Sequence, residues 1–175
     1  QRVIVPAMMA PLAPALIDLA QIGNGDAVLD VACGTGVVTQ LVAKRVGASG
    51  RVVGLDLNAA MLGIARSLPS KDIVPVEWIE ASAQAMPFPD AVFDAVVCQH
   101  GLQQFPDRPL ALSEMRRVLK PGGRMAVSVW AGIEHNPAMA ALVDALARHV
   151  SEAAAQNRRA PFRLDDKTLF DLLAA

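Results

Sequence analysis

Short apolar blocks of strand length alternate along this chain with longer stretches whose apolar positions recur every three or four residues. Val28 to Val31, Arg51 to Leu55, Pro75 to Glu80, Asp94 to Cys98 and Gly123 to Trp130 each hold a β-branched or apolar run bounded by Gly, Pro, Asp or polar residues. Near-continuous apolar runs of this kind suit strands covered on both faces, as parallel sheets require. Between them, Val37 to Val46, Ala59 to Leu68 and Pro109 to Leu119 read as crossover helices. In the last, Leu110, Leu112, Met115, Val118 and Leu119 form a mostly helical-period set, and Pro121-Gly122-Gly123 is expected to stop it. The alternation predicts an α/β fold built on a doubly wound, mostly parallel sheet with right-handed crossovers. Ligands in such sheets bind beyond the carboxyl ends of the strands, so the residues just after each strand matter most.

Beyond Trp130 the pattern turns helical. A long alanine-rich helix is predicted from about Pro137 to Gln156, with Met139, Leu142, Val143, Leu146 and Val150 on one stripe. A polar joint at Asn157-Arg158-Arg159 leads to a final helix starting near Asp165 or Asp166, either of which can cap it. The expected organisation is one domain: a helical lead-in over 1–27, a cofactor-binding core over 28–131, and helical cover over 132–175.

Composition narrows the function classes. The 175 residues carry 16 Lys+Arg against 17 Asp+Glu, a net charge of −1, with 53% hydrophobic residues and a mean hydropathy of +0.35. Only 19% are charged, which excludes a disordered polyampholyte, and the near-zero balance argues against a nucleic-acid partner. No run approaches the roughly 18 uncharged apolar residues that cross a bilayer. Cys33 and Cys98 fit neither a disulfide framework nor a zinc spacing, so no metal is expected and a reduced, cytoplasmic setting is. The opening QRVIVPAMMAPLAPAL lacks a cationic start followed by an apolar core, so it does not read as a signal peptide.

The chemistry concentrates in VLDVACGTGVVTQLV, Val28 to Val42. An apolar strand ends at Asp30 and Val31, and Gly34-Thr35-Gly36 then turns the chain into a helix whose first N–H groups can meet a ligand. Asp56 ends the next strand about 20 residues on, where a carboxylate accepts hydrogen bonds from ribose hydroxyls. Together they point to a nucleoside-containing cofactor. The dinucleotide pattern needs a third glycine, and Thr39 stands in its place. Asp30 would repel a pyrophosphate but suits an ammonium group, and no G-x-x-x-x-G-K-[ST] loop is present. A cofactor with a ribose and a positive charge fits better than one with phosphates.

These residues resemble the class I S-adenosylmethionine-dependent methyltransferases, in particular the group related to the ubiquinone/menaquinone C-methyltransferases. LDVACGTG is similar to that family's first motif and VVGLDLNAAML to its ribose-binding second. ASAQAMPFPDAVFDAVVCQHGLQQFPD is similar to the third and fourth, and EMRRVLKPGGRMAVSVW to the helix and strand that follow. The resemblance implies a Rossmann-like methyltransferase fold with S-adenosyl-L-methionine as cofactor. It implies that Asp30 and the backbone at Ala32, Gly34 and Gly36 hold the methionine part, Asp56 the ribose, and Leu57 and Met61 the adenine faces; Met61 also reads as plain helix core. Ser82, Ala83 and Gln84 would read the adenine edge, and Gln99 would offer its carbonyl to the amino group. Many relatives have Asp where this chain has Ser82, so that contact is expected to rest on a hydroxyl and the N–H of Ala83.

The resemblance further implies methyl transfer to a carbon or oxygen of a small-molecule acceptor. His100 is the candidate general base, against a reading as a merely neighbouring histidine; Trp130 and His135 are candidate substrate walls, and His149 reads as exposed. Two rivals stay open: an NAD-dependent oxidoreductase, and a cofactor-binding module without catalysis. The family's sheet has seven strands and five are legible here. The chain is therefore expected to lack the last two, to be a core fragment or the ordered part of a longer enzyme, and to self-associate through an exposed sheet edge.

Overall fold

A computed structural model describes residues 9–68, 74–162, 164 and 166–174. The chain divides into two compact units, Gln1–Ser128 and Val129–Ala175.

The first unit is built on the five apolar blocks. β1 (Ala27–Val31), β2 (Arg51–Asp56), β3 (Val76–Glu80), β4 (Phe93–Gln99) and β5 (Leu119–Ser128) form one sheet in the order β3-β2-β1-β4-β5, and every pairing is parallel. The doubly wound expectation therefore stands, with five strands among the described residues. α1 (Ala13–Leu19), α2 (Val37–Val46), α3 (Ala59–Ser67) and α4 (Arg108–Val118) complete the unit. Successive strands β1, β2 and β3 step outward one way, while β4 and β5 step the other. Right-handed crossovers then place α2 and α3 on one face and α4 on the other.

Strand alternation sorts the core. Val28 of β1 and Val52 of β2 join Ala95 and Val97 of β4 in a cluster with Ala13, Leu16 and Ile17 of α1 and Val38, Val42 and Val46 of α2. Asp30, two residues after Val28, shares that face, so its carboxylate is carried under α2. The strand order reverses between β1 and β4, and a ligand crevice is expected beyond their carboxyl ends.

Two boundaries differ from expectation. α4 stops at Val118, before the Pro-Gly-Gly, and β5 begins at once at Leu119. Pro121 disfavours helical geometry at Lys120, and Leu119 is already extended (φ −75°, ψ 137°). Leu119 pairs with Phe93 and Arg124 with Ala95, so residues 120–123 bulge out of the ladder. Lys120 is held there by Asp94, with Nζ 2.8 and 2.9 Å from its two carboxylate oxygens. β5 ends at Ser128, leaving Trp130 outside the strand.

In the second unit the single helix expected over Pro137 to Gln156 is two, α5 (Pro137–His149) and α6 (Glu152–Arg159). Ser151 makes the break: its backbone is extended, and its hydroxyl accepts the N–H of Ala154 at 3.1 Å to cap α6. Of the expected stripe only Val143 is buried, while Val150 at the joint is 68% exposed. α7 spans Asp166–Ala174; Asp165, the other expected cap, lies outside the described residues. Trp130 packs its ring 6.1 Å from that of Phe162, His135 is exposed beside Glu134 at 3.6 Å, and His149 is exposed.

Candidate cofactor site

Two adjoining cavities open beyond the carboxyl ends of the central strands. One, of about 390 Å³, is lined by Asp56, Leu57 and Asn58 after β2, by Ser82, Ala83 and Gln84 after β3, and by His100 to Pro106 in part after β4. The other, of about 460 Å³, is lined by Asp30, Cys33, Thr35, Val37, Val38, Ile64, Gln99 and Met9. Ala32, Gly34, Met61 and His100 belong to both. Met61 forms the divide, its sulfur 3.6 Å from where a Cβ on Gly34 would stand. The segments singled out in the sequence thus meet at one place. Gly36 is the exception among the expected cofactor residues: it is buried and lines neither cavity.

Asp56 ties the glycine turn to the end of β2. Its Oδ2 accepts the N–H of Gly34 at 2.7 Å, and its Oδ1 accepts the N–H of Asn58 at 2.8 Å. A carboxylate offers about four lone-pair directions, so both oxygens retain capacity for the two hydroxyls of a ribose. Asn58 in turn caps α3, accepting from Ala60 and Met61 at 3.0 and 3.2 Å. That places Met61 on the first turn of α3, over the cavities.

Asp30 is buried, and the Thr39 hydroxyl donates to its Oδ2 at 2.5 Å. Burial pushes its carboxyl up to about 7, partly offset by the hydroxyl and N–H of Thr39 and reinforced by the charge of Asp56. Near pH 7 it is therefore only about half ionised, and a nearby cation would complete its ionisation. Cys33, between the same two carboxylates, has its thiol pushed far up by burial, and burial lifts Cys98 to about 12. Both cysteines are free and buried, as small core residues.

The adenine-edge candidates form a tight turn. Ser82 Oγ accepts the N–H of Gln84 at 3.1 Å, which leaves its own O–H to donate into the first cavity. The turn is anchored from α4: Met86 N–H donates to Glu114 at 2.8 Å, and the Arg117 guanidinium donates to the carbonyls of Phe88 and Met86 and to Glu114 and Asp90. Gln99 donates through Nε2 to the Met9 carbonyl at 2.8 Å, drawing the lead-in across the second cavity. His100 follows β4 in left-handed backbone (φ +56°), its N–H donating to Ser128 O at 2.8 Å. Burial lowers its pKa, so the imidazole is neutral near pH 7.

Sequence reasoning missed Thr39, Asn58, Met9, Gln104 and Phe105. The signal for Thr39 was present as a hydroxyl residue at the missing third glycine, and that for Asn58 as a capping residue just before α3; the others need the tertiary arrangement.

Among the described residues no Lys or Arg lines either cavity, while two carboxylates do. That donor set fits a ligand with a ribose diol, an ammonium and a further positive charge, the make-up of S-adenosylmethionine, and opposes a pyrophosphate.

Comparison with known proteins agrees. A 2-phytyl-1,4-naphthoquinone methyltransferase of Thermosynechococcus vestitus is 45% identical over 111 residues, covering 63% of this chain and 49% of that protein. The ubiquinone/menaquinone biosynthesis C-methyltransferase UbiE of Hahella chejuensis is 44% identical over 113 residues, covering 63% and 45%. The chain thus spans about half the length of these relatives. A SAM-dependent methyltransferase structure from Aquifex aeolicus superposes with a TM-score of 0.59 at 25% identity, over 66% of this chain and 62% of that one. The family model of the ubiE/COQ5 methyltransferases matches residues 14–150, and the chain belongs to that family.

Proposed function

We propose that this chain carries the cofactor-binding core of an S-adenosylmethionine-dependent methyltransferase acting on a carbon or oxygen of a small aromatic acceptor. The observation that carries the reading is the pair of carboxylates, Asp30 and Asp56, on either side of the glycine turn, in cavities with no lining cation among the described residues. Asp30 takes the ammonium, Asp56 the ribose diol, and Ser82 to Gln84 the adenine edge. When bound, the cofactor supplies an electrophilic methyl group. The names of the relatives, which specify naphthoquinone and ubiquinone/menaquinone substrates, favour a ring carbon of a quinol-type acceptor.

His100 lines both cavities and burial keeps its imidazole neutral near pH 7, and we assign to it the acceptance of the hydroxyl proton of such an acceptor. Positioning of the acceptor supplies much of the remaining acceleration. The free, buried state of Cys33 and Cys98 is in keeping with a reduced, cytoplasmic setting, which we propose for the enzyme; among the described residues no helix is long and apolar enough to cross a membrane. Calorimetric titration with S-adenosylhomocysteine and with NAD tests the cofactor assignment. Binding of the first without the second is expected; tight NAD binding without a response to S-adenosylhomocysteine overturns it.

A further inference from the structure

Trp78 of the edge strand β3 stands across from Gly54 of β2 in the parallel register. Residues two apart on a strand share a face, and Val76, two before Trp78, packs against the cluster beneath α1 and α2. Trp78 therefore lies on the α2 face. A Cβ on Gly54 would stand 2.7 Å from both Cε3 and Cζ3 of the indole, and 3.1 Å from Cys33 Sγ. The missing side chain at position 54 is the slot through which the ring crosses β2.

At the far end of that slot the ring meets the glycine turn. A Cβ on Gly36 would collide with Cη2 of Trp78 and stand 3.1 Å from Cζ3. Gly36 is the N-cap of α2 and left-handed at φ +82°, so this position demands glycine twice over. The turn is thereby held from two directions: Asp56 grips the Gly34 N–H from the cavity side, and the indole backs Gly36. Arg66 steadies the indole's own strand by donating to the Trp78 carbonyl at 3.1 Å. Trp78 lines neither cavity, so it reaches a ligand only through the turn.

We propose that Trp78 is a positioning residue, whose indole fills the volume behind residues 33–36 and sets how far the glycine backbone stands into the cavities. The second glycine of the motif then serves aromatic packing, while the first serves the ligand. This inference concerns the free protein and does not require the proposed reaction.

Amide hydrogen exchange tests it without a ligand. In Trp78→Ala, exchange over residues 33–36 is expected to speed up by about tenfold or more, with residues 108–118 of α4 little changed and Trp78→Phe restoring most of the protection. Unchanged exchange at 33–36, or equal acceleration in α4, overturns the proposal. In Trp130→Phe, Trp78 is the sole tryptophan of the two in the chain, and its emission is expected to shift on saturation with S-adenosylhomocysteine. Should Trp78→Ala not fold, the exchange of Trp78→Leu and this emission decide: parental exchange at 33–36 in the ring-less Trp78→Leu together with unmoved emission overturns the role. A parent protein that does not bind S-adenosylhomocysteine counts against the proposed function alone, and the exchange comparison still decides the role of Trp78.

Discussion

Cofactor affinity should depend steeply on pH through Asp30. In the free protein this carboxyl is raised from an ordinary 3.8 to about 7, chiefly by burial, and a bound ammonium would hold it ionised. The apparent dissociation constant then scales as 1 + 10^(pKa − pH), giving about a 30-fold weakening between about pH 8 and about pH 5.5. At higher pH still the ligand's free amino-acid ammonium loses its own proton, so affinity peaks between the two. Binding should release about 0.9 proton near pH 6 and about 0.1 near pH 8. Titration of S-adenosylhomocysteine in two buffers of different ionisation enthalpy counts these protons directly.

The same shift affects folding with the opposite consequence. A carboxyl whose pKa is raised by folding favours the folded state fully below about pH 4, and that contribution is lost as pH rises through about 7. The loss from this group alone is roughly 4 kcal/mol, from the 1.36 kcal/mol carried by each pK unit. Asp30→Asn should therefore melt higher than the parent above about pH 7 and bind the ligand poorly at every pH. A dissociation constant flat between about pH 5.5 and 8, with no proton release, would refute the argument.

Asp56→Ala removes both the ribose acceptor and the Gly34 anchor, and should weaken S-adenosylhomocysteine binding at least about tenfold, or about 1.4 kcal/mol; unchanged affinity in calorimetry would mean that the ribose lies elsewhere. His100→Asn should lower kcat by about 100-fold or more while S-adenosylhomocysteine affinity stays within about twofold, as measured by initial rates with a quinol acceptor; an unaffected kcat removes His100 from the reaction. Arg117→Ala strips the bonds from α4 to the carbonyls of Met86 and Phe88 and should cost about 2 kcal/mol in denaturant melts near neutral pH. The Arg117 guanidinium holds the Glu114 carboxyl below its usual range. That contribution is present above the ordinary glutamate pKa and lost as pH falls through the lowered one, so the difference between variant and parent should narrow in acid.

The parallel sheet was legible because its strands are buried on both faces and so read as unbroken apolar runs, and the glycine turn and Asp56 were legible because their spacing is local. The α4–β5 junction was misjudged because Pro121-Gly122-Gly123 read as a helix stop, whereas Pro121 acts one residue upstream and the glycines sit in a bulge. The break between α5 and α6 hid behind alanines compatible with one helix, Ser151 being the only marker. Thr39 was noticed for the glycine it replaces, while its hydrogen bond to Asp30 depends on a strand face meeting the first turn of a helix. Gly36 was assigned to the ligand by its motif, but Trp78, 42 residues later, gives it a packing partner that no local pattern reveals.

Among the described residues four non-glycine residues hold left-handed backbone, and two of them, Ala32 and His100, close neighbouring strands at the rim of the cavities. Each holds a conformation that costs about 1 kcal/mol or more, so the scaffold folds against a local preference where the ligand is to be met. Selection for stability alone would drift both positions toward glycine. At position 32 the drift would relieve strain and keep the carbonyl and N–H; at position 100 it would delete the imidazole. If His100 has the proposed role, a library screened only for thermal tolerance should recover His100→Gly among its stable members with much reduced turnover, marking the point where robustness and turnover part.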